Sequence, residues 1–327
     1  MKKKLVHIYS SLISVDNLLL AWQEFIKGKR NRKDVLQFQL NLIDNIFDLH
    51  FDLLTGNYRH GGYKSFKIND PKPRDIHKAS VRDRLIHHAI YRILYPFFDL
   101  IFIPDSYSCR NNKGTYKAIN KLYEYFYIIS KNNTKACYIL KMDIRKFFAN
   151  IDHKALLTIL QESIADKKII DLLKNIINSF KSKGNSAVGL PLGNLTSQLL
   201  VNIYMNKFDQ FVKHKLKEKY YVRYADDFII LHDNYNHLIK LISQIKLFLQ
   251  QELKLNAHPN KTRIQTMTSG LDFLGYVCFS DHQILRTKTK RRMFERINIK
   301  NKASYIGLLQ HCNSFKLMKK LIDMFLA

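Results

Sequence analysis

The chain has 327 residues, 46% of them hydrophobic, which excludes a disordered tail and leaves room for two or three subdomains with sizeable cores. Lys and Arg number 54 against 27 Asp and Glu, a formal net charge of +27 with a pI near 9.8. Such an imbalance repels itself within a compact fold and calls for a polyanionic partner.

No apolar run reaches the length of about 18 residues needed to span a bilayer, and no amphipathic anchor is evident, so a membrane partner is not expected. The N-terminus, MKKKLVHIYSSLISVDN, lacks a small-residue cleavage site and reads as mature protein. Cys109, Cys137, Cys278 and Cys312 are scattered with no CxxC pair, so neither disulfides nor a zinc knuckle is expected and a reducing cytoplasm fits.

In chain order, apolar residues at helical spacing predict two helices over 5–55, one through Leu18, Leu19, Trp22, Phe25 and Ile26 and one through Leu36, Phe38, Leu42, Ile46 and Leu49. The basic linker GKRNRK between them is either a solvated loop or a phosphate contact. YKSFKI alternates like a strand. NDPKPRDIHK reads as a Pro-punctuated loop before a long apolar helix, with Lys72, Arg74, Arg82 and Arg84 close together as surface charge or as an anion grip. His87 and His88 read as structural, since adjacent helical residues point to different faces and no third ligand is in view. Arg110 and Lys113 flank a turn, and a helix begins near Gly114 or Thr115, a basic entry suited to phosphate.

CYILKMD predicts a short buried strand ending in Asp143, and Asp152 reads as the N-cap of a helix from His153. Helical pattern then continues to about Phe180 and KSKGNSAVG forms a loop. GLPLGNLTSQ leads into another helix, with Gly193 permitting close backbone approach and Thr196 or Ser197 as its cap. In YYVRYADDFIIL an acidic doublet, Asp226-Asp227, sits at a hairpin tip between apolar runs. Leu238 to Leu253 is an amphipathic helix. LKLNAHPNKTRIQ turns into a strand with Lys261 and Arg263, and LDFLGYVCF reads as one strand centred on Gly275. Residues 281–327 carry 11 Lys or Arg against 3 Asp or Glu, most densely in a helical RTKTKRRMFERINIK.

Three acidic positions thus end short apolar strands about eighty residues apart in sequence, where a sheet can bring them together. Oxygen ligands on a rigid sheet suit Mg²⁺, and two such ions about 3.5–4 Å apart would activate a 3′-hydroxyl and stabilise a leaving pyrophosphate. An acidic pair alone is more often a plain turn. The flanks decide the matter. YADD in a hairpin, preceded by MDIRKFF and GLPLGNLTSQ and followed by NKT and FLGY, closely resembles the reverse transcriptases, in family order from about Tyr63 to about Leu317.

The resemblance implies an α+β right-hand polymerase fold with helical fingers, a palm on a small antiparallel sheet and a short helical thumb. It divides the chain into an N-terminal extension and fingers at 1–136, a palm at 137–280 with a finger-side helical insertion at about 153–188, and a thumb at 281–327. It makes Asp143, Asp226 and Asp227 the catalytic ligands of two Mg²⁺, with Mn²⁺ a possible substitute. Phe148 matches the steric gate against a ribose 2′-hydroxyl; by residue type alone it is a core aromatic. Lys72, Arg74 and Arg82 fall where the triphosphate binds, with Leu192 and Gly193 beside the nucleotide, and Lys261 matches a lysine near the pyrophosphate. Phe273, Leu274, Gly275 and Tyr276 resemble the primer grip. Arg110, Lys113, Lys288, Lys290, Arg291 and Arg292 are expected on the nucleic-acid backbone.

Leu192 and Gln198 depart from the glutamine-glycine and serine-proline forms of many members, including group II intron enzymes. They resemble the enzymes of diversity-generating retroelements and related defence-associated lineages. The implied partners are an RNA template, a DNA or RNA primer, dNTPs, a noncoding or template-repeat RNA and an accessory basic protein. The chain ends about fifty residues after FLGY, so no RNase H, maturase or endonuclease domain is expected. The rival readings are an antiviral-defence reverse transcriptase, a catalytically inactive nucleic-acid-binding protein and, more weakly, an RNA-dependent RNA polymerase.

Overall fold

A computed structural model of the protein describes residues 4–69, 73–182 and 187–326. The chain passes repeatedly between two units, one formed by Met1–Ile103, Ile144–Phe211 and Lys246–Asn256 and the other by Pro104–Asp143, Val212–Ile245 and Ala257–Ala327.

In the first unit α1 (Tyr9–Ile13), α2 (Val15–Phe25), α3 (Lys33–Leu40) and α4 (Leu42–Thr55) replace the two helices expected from periodicity. Ser14 ends α1 and caps α2 by accepting the Asn17 N–H, and Asn41 breaks α3 from α4. Apolar spacing runs on through both breaks, so the pattern hid them. The strand β1 (Lys64–Ile68) appears as expected, but the segment read as a loop holds a second strand, β2 (Arg74–Lys78), paired antiparallel with it. Its residues are exposed or half-buried, so no apolar alternation announced a strand.

The long helix α5 (Val81–Ile101) buries Leu85, Ile86, Ala89, Ile90, Leu94 and Phe98. The adjacent histidines serve different faces, as expected. The fully buried His87 shares a hydrogen bond with the Thr196 hydroxyl at 2.7 Å and meets His60 Nε2 at 3.2 Å, while His88 stands edge-on to the Phe25 ring. Burial, then the neighbouring His60, holds the His87 imidazole well below its usual pKa.

The second unit opens with α6 (Thr115–Ile129) and β3 (Tyr138–Asp143). Back in the first unit, the Asp152 carboxylate accepts the Ala155 N–H and starts α7 (His153–Ser163), the cap read from the sequence; α8 (Lys167–Asn178) and α9 (Leu195–Gln210) follow. The expected cap of α9 is corrected. Its N-cap is Asn194, without a side-chain hydrogen bond, and Thr196 is spent inside the helix on His87. Gly193 does bring backbones together: at φ +108° a Cβ there would lie 3.0 Å from Ile76 Cγ2, and the Leu192 carbonyl accepts the His77 N–H at 3.0 Å.

The second unit then forms β4 (Tyr221–Tyr224) and β5 (Asp227–His232); α10 (Tyr235–Glu252) leads into the first unit, and β6 (Arg263–Thr266) returns. These strands make an antiparallel sheet of order β4-β5-β3-β6. Leu271–Phe279 is two strands and not one: β7 (Leu271–Phe273) and β8 (Tyr276–Cys278) form a hairpin. Leu274 and Gly275, both at positive φ (49° and 97°), make a two-residue turn that the apolar run concealed.

Then β9 (Gln283–Leu285) pairs with β8, and α11 (Thr287–Arg296), α12 (Lys302–Leu309) and α13 (Phe315–Leu326) complete the chain. One core ties this unit together, from Leu122 and Phe126 on α6 and Ile139 and Ile229 on the sheet to Phe273 and Tyr276 on the hairpin and Met293 on α11. Among the described residues no helix is long and apolar enough to cross a membrane.

Candidate active site

Ile139, Leu140 and Met142 of β3 and Phe228 to Leu231 of β5 are fully buried, so core packing fixes how these strands pair. Their antiparallel register sets Met142 opposite Phe228 and Asp143 opposite Asp227. Directly opposed residues have Cβ atoms about 4.5–5.5 Å apart, so the ladder itself brings two carboxylates together at its end. Tyr224 pairs with Asp227 across the next ladder, leaving Ala225-Asp226 as the tip of the hairpin. Ala225 sits in the left-handed region at φ +55°, which an alanine adopts only where its surroundings hold it.

Two lysines neutralise the acidic pair. Lys261, in the 3₁₀ turn Pro259–Lys261, places Nζ 2.9 Å from Asp143 Oδ2, and the Asp143 carbonyl accepts the His258 N–H at 2.7 Å. Lys141, two residues before Asp143 and so on the same face of β3, lies 3.3 Å from Asp227 Oδ2 and also donates to the Asp272 carbonyl. Asp227 Oδ1 is buried and accepts no hydrogen bond. Burial pushes the Asp227 carboxyl up to about 7; Lys141 opposes this, and Asp143 and Asp226 add to it. Among the described residues no group of three His, Cys, Asp or Glu closes around a metal position. An unpaired buried carboxylate oxygen with two further aspartates beside it is nonetheless a donor set suited to a hard divalent cation.

Arg223 is a residue of the site that no local pattern announces directly. Its side chain is fully buried, donating from Nη1 to the Ala225 carbonyl at 3.1 Å and from Nη2 to Ser106 Oγ at 2.9 Å. Its backbone N–H donates to the Asp105 carbonyl and its carbonyl accepts the Tyr107 N–H, each at 2.9 Å. The segment before α6 thus lines the outer edge of β4 and braces the tip that carries Asp226. A signal was available: an arginine between buried Val222 and the end of an otherwise apolar strand has to find partners inside.

Elsewhere in this unit, Phe273 and Tyr276 are core residues, and only Leu274 and Gly275 at the hairpin tip remain half-exposed. Arg110 Nη1 donates to the Ser106 carbonyl and Lys113 Nζ to the Pro104 carbonyl, which steadies the same segment. On α11 Met293 is buried while Lys288, Lys290 and Arg291 are exposed and Arg292 is half-buried.

In the other unit Arg74 is exposed on β2, Arg82 is ion-paired with Asp52 and stacked on Tyr58, and Lys72 lies outside the described residues. Phe148 and Leu192 are half-buried on neighbouring segments, the Phe148 carbonyl accepting the Leu190 N–H at 2.8 Å. Beside Gly193 opens a cavity of about 360 Å³, with Lys29, Arg32, Lys78 and Arg84 in its wall. Three buried polar atoms there, His77 Nδ1, His88 Nδ1 and Asn194 Nδ2, have no hydrogen-bond partner.

Two outcomes are expected. Replacing Arg223 by Met leaves the Ala225 carbonyl and the Ser106 hydroxyl short of donors in the interior and destabilises the fold by about 1–3 kcal/mol, with a smaller loss for Arg223→Lys; urea titration reads both. The Asp227 carboxyl, near 7 when folded, is raised above its unfolded value of about 3.9. The folded state therefore holds that proton more tightly, and this contribution to stability is lost as pH rises from about 4 through about 7. In chelator-containing buffer the melting temperature of wild type should fall more steeply over that window than that of Asp227→Asn.

Residues 67–278 match the family described as "Reverse transcriptase (RNA-dependent DNA polymerase)". The chain is 23% identical to the Putative COX1/OXI3 intron 2 protein of Saccharomyces cerevisiae, an alignment covering 66% of this chain and 30% of that one. It is 23% identical to Protein YkfC of Escherichia coli over 74% of this chain and 71% of that one. With the Group II intron-encoded protein LtrA of Lactococcus lactis it shares 25% identity over 69% of this chain and 47% of the relative. The chain thus spans less than half the length of two of these relatives. Among solved structures, the telomerase of Candida albicans superposes with a TM-score of 0.52 at 13% identity, covering 71% of this chain and 46% of that one, which shows likeness of fold. The family match takes in the sheet with its three aspartates, the braced hairpin and the segment from Phe148 to Gly193, and the chain belongs to the reverse transcriptase family.

Proposed function

We propose that the chain polymerises DNA on an RNA template by in-line nucleotidyl transfer at Asp143, Asp226 and Asp227. The observation that carries this reading is the pairing of Asp143 with Asp227 at the shared end of β3 and β5, with Asp226 at the adjoining tip. These three carboxylates would hold Mg²⁺, or Mn²⁺ in its place, and the unpaired Asp227 Oδ1 supports that assignment. When bound, the ions supply activation of the primer 3′-hydroxyl and charge stabilisation at the transferring phosphoryl group. Lys261, already in contact with Asp143, is the proton donor toward the leaving pyrophosphate in this scheme.

Phe148 bars the ribose 2′-hydroxyl and selects dNTPs, with Arg74 and Arg82 toward the triphosphate and Leu192 and Gly193 against the new base pair. For Arg82 this role requires exchanging Asp52 for the nucleotide. The basic cavity beside Gly193, with its three unpaired polar atoms, supports a nucleic-acid path along that side of the first unit. Fingers, palm and thumb then correspond to about 1–136, 137–280 and 281–327. Leu274 and Gly275, backed by Phe273 and Tyr276, form the primer grip. Arg110, Lys113, Lys288, Lys290, Arg291 and Arg292 hold the backbone without reading sequence. The compartment that fits is the cytoplasm.

Within this class we favour error-prone cDNA synthesis for a diversity-generating retroelement, with a template-repeat RNA and an accessory basic protein. Leu192, an aliphatic side chain facing the nascent pair, carries that preference. The second reading is an antiviral-defence enzyme copying a noncoding RNA, which the same departures at Leu192 and Gln198 also fit. A repeat pair beside a variable target gene, or a defence island, separates the two.

On a primed RNA template with Mg²⁺ or Mn²⁺, wild type should extend with dNTPs and not with NTPs, and Asp226→Asn should lose at least about 100-fold of that rate, the scale expected on removing a charge-stabilising group from such a site. Equal rates would refute the site assignment. Leu192→Gln should lower misincorporation opposite template adenines while leaving extension intact; unchanged error spectra would count against the retroelement reading.

A further inference from the structure

From Asp34 to Tyr58 the sequence has four aspartates and neither lysine nor arginine, in a chain where 54 of 327 residues are basic. Asp34 is ion-paired with Lys78 and Arg84, and Asp52 with Arg82, while the other two, Asp44 and Asp48, lie beside an apolar ridge. Leu36 and Leu40 of α3 are 48% and 83% exposed, and Ile43, Phe47, Phe51 and Leu54 of α4 are 54–61% exposed. Steps of three and four residues place the α4 members on one stripe, while Ile46, Leu49 and Leu53 fill the core from the other side of the helix. So α4 is apolar on two faces and the fold uses one. Asp44 and Asp48, both exposed, stand one residue beyond Ile43 and Phe47 and border the stripe.

A row of large apolar side chains of this extent marks a contact surface. Its carboxylates repel a polyanion, so the occupant is a protein with apolar and basic character. The chain carries such a face itself. On α13, Phe315, Ile322 and Met324 are 80%, 45% and 47% exposed, and Lys316, Lys319 and Lys320 are exposed among them. An open groove of about 270 Å³ runs along this helix between Phe315, Met318, Lys319, Ile322 and Asp323, so that three lysines stand against one carboxylate on this face.

We propose that the α3–α4 ridge of one copy docks on α13 of a second copy, with Phe47 or Phe51 in the α13 groove and Asp44 and Asp48 against Lys319 and Lys320. Pairing two α4 ridges directly would bring like charges together, whereas ridge against α13 joins opposite ones. In a two-fold dimer each copy offers its ridge and receives the other's, so the contact forms twice. This proposal is independent of the polymerase reading, since no residue in it belongs to the aspartate site.

Nuclease-treated full-length protein, free of bound nucleic acid, tests it by size-exclusion chromatography with light scattering at low salt. Wild type should be dimeric at tens of micromolar. The double variants Asp44→Lys/Asp48→Lys and Lys319→Glu/Lys320→Glu should each be monomeric, with circular dichroism and melting temperature like wild type to show that they fold. Mixing the two should restore a dimer, because both contacts between unlike copies then join opposite charges. A monomeric wild type overturns the proposal. So does a dimer that survives either double variant, and so does failure of the mixed sample to associate.

Discussion

The pairing of β3 with β5 is the constraint on which the site depends. Side chains alternate along a strand, so a slip of one residue would send Asp143 and Asp227 to opposite faces. What prevents the slip is the complete burial of Ile139, Leu140 and Met142 against Phe228, Ile229, Ile230 and Leu231. Carboxylates forced together in this way repel, and the protein answers with Lys141 and Lys261, each reaching one member of the pair. The apolar core thus does electrostatic work at a distance, by holding like charges where they would not otherwise stay.

The hairpin tip shows the same logic one step further out. Ala225 in a left-handed conformation is strained by itself, and the buried Arg223 guanidinium is aimed at the carbonyl of that residue. A second set of bonds, from Asp105, Ser106 and Tyr107 to the backbone and side chain of Arg223, ties the tip to the segment before α6. That segment also accepts from Arg110 and Lys113, so two of the cations expected on the nucleic-acid backbone are internally braced to the element that carries Asp226.

Much of this was legible in the sequence, because it rests on local signals. An apolar run ending in an acid gave β3 and Asp143, an Asp before a helical pattern gave the cap of α7, and YADD gave the hairpin. The rest was hidden for specific reasons. β2 has no buried face to produce alternation. The β7–β8 turn uses a leucine at positive φ, which residue type argues against, so LDFLGYVCF looked continuous. Thr196 looked like a cap because nothing local says that a buried His87 waits for its hydroxyl. Arg223 was not expected at the site because, apart from the Ala225 carbonyl, its partners Asp105, Ser106 and Tyr107 lie more than a hundred residues away in sequence. Short-range chemistry is readable; the partner of a buried polar group is not.

The route of the chain carries a last implication. It crosses between the two units five times, and one crossing falls at the peptide bond after Asp143. Neither unit is therefore a continuous segment that could be cut out, swapped for a relative's, or lost by truncation and leave the other whole. An insertion or a fused domain within a strand or helix meets the same difficulty, since it would separate residues that must return to the same core. The architecture confines easy variation to the ends of the chain and to exposed turns, and leaves the interior to change one side chain at a time.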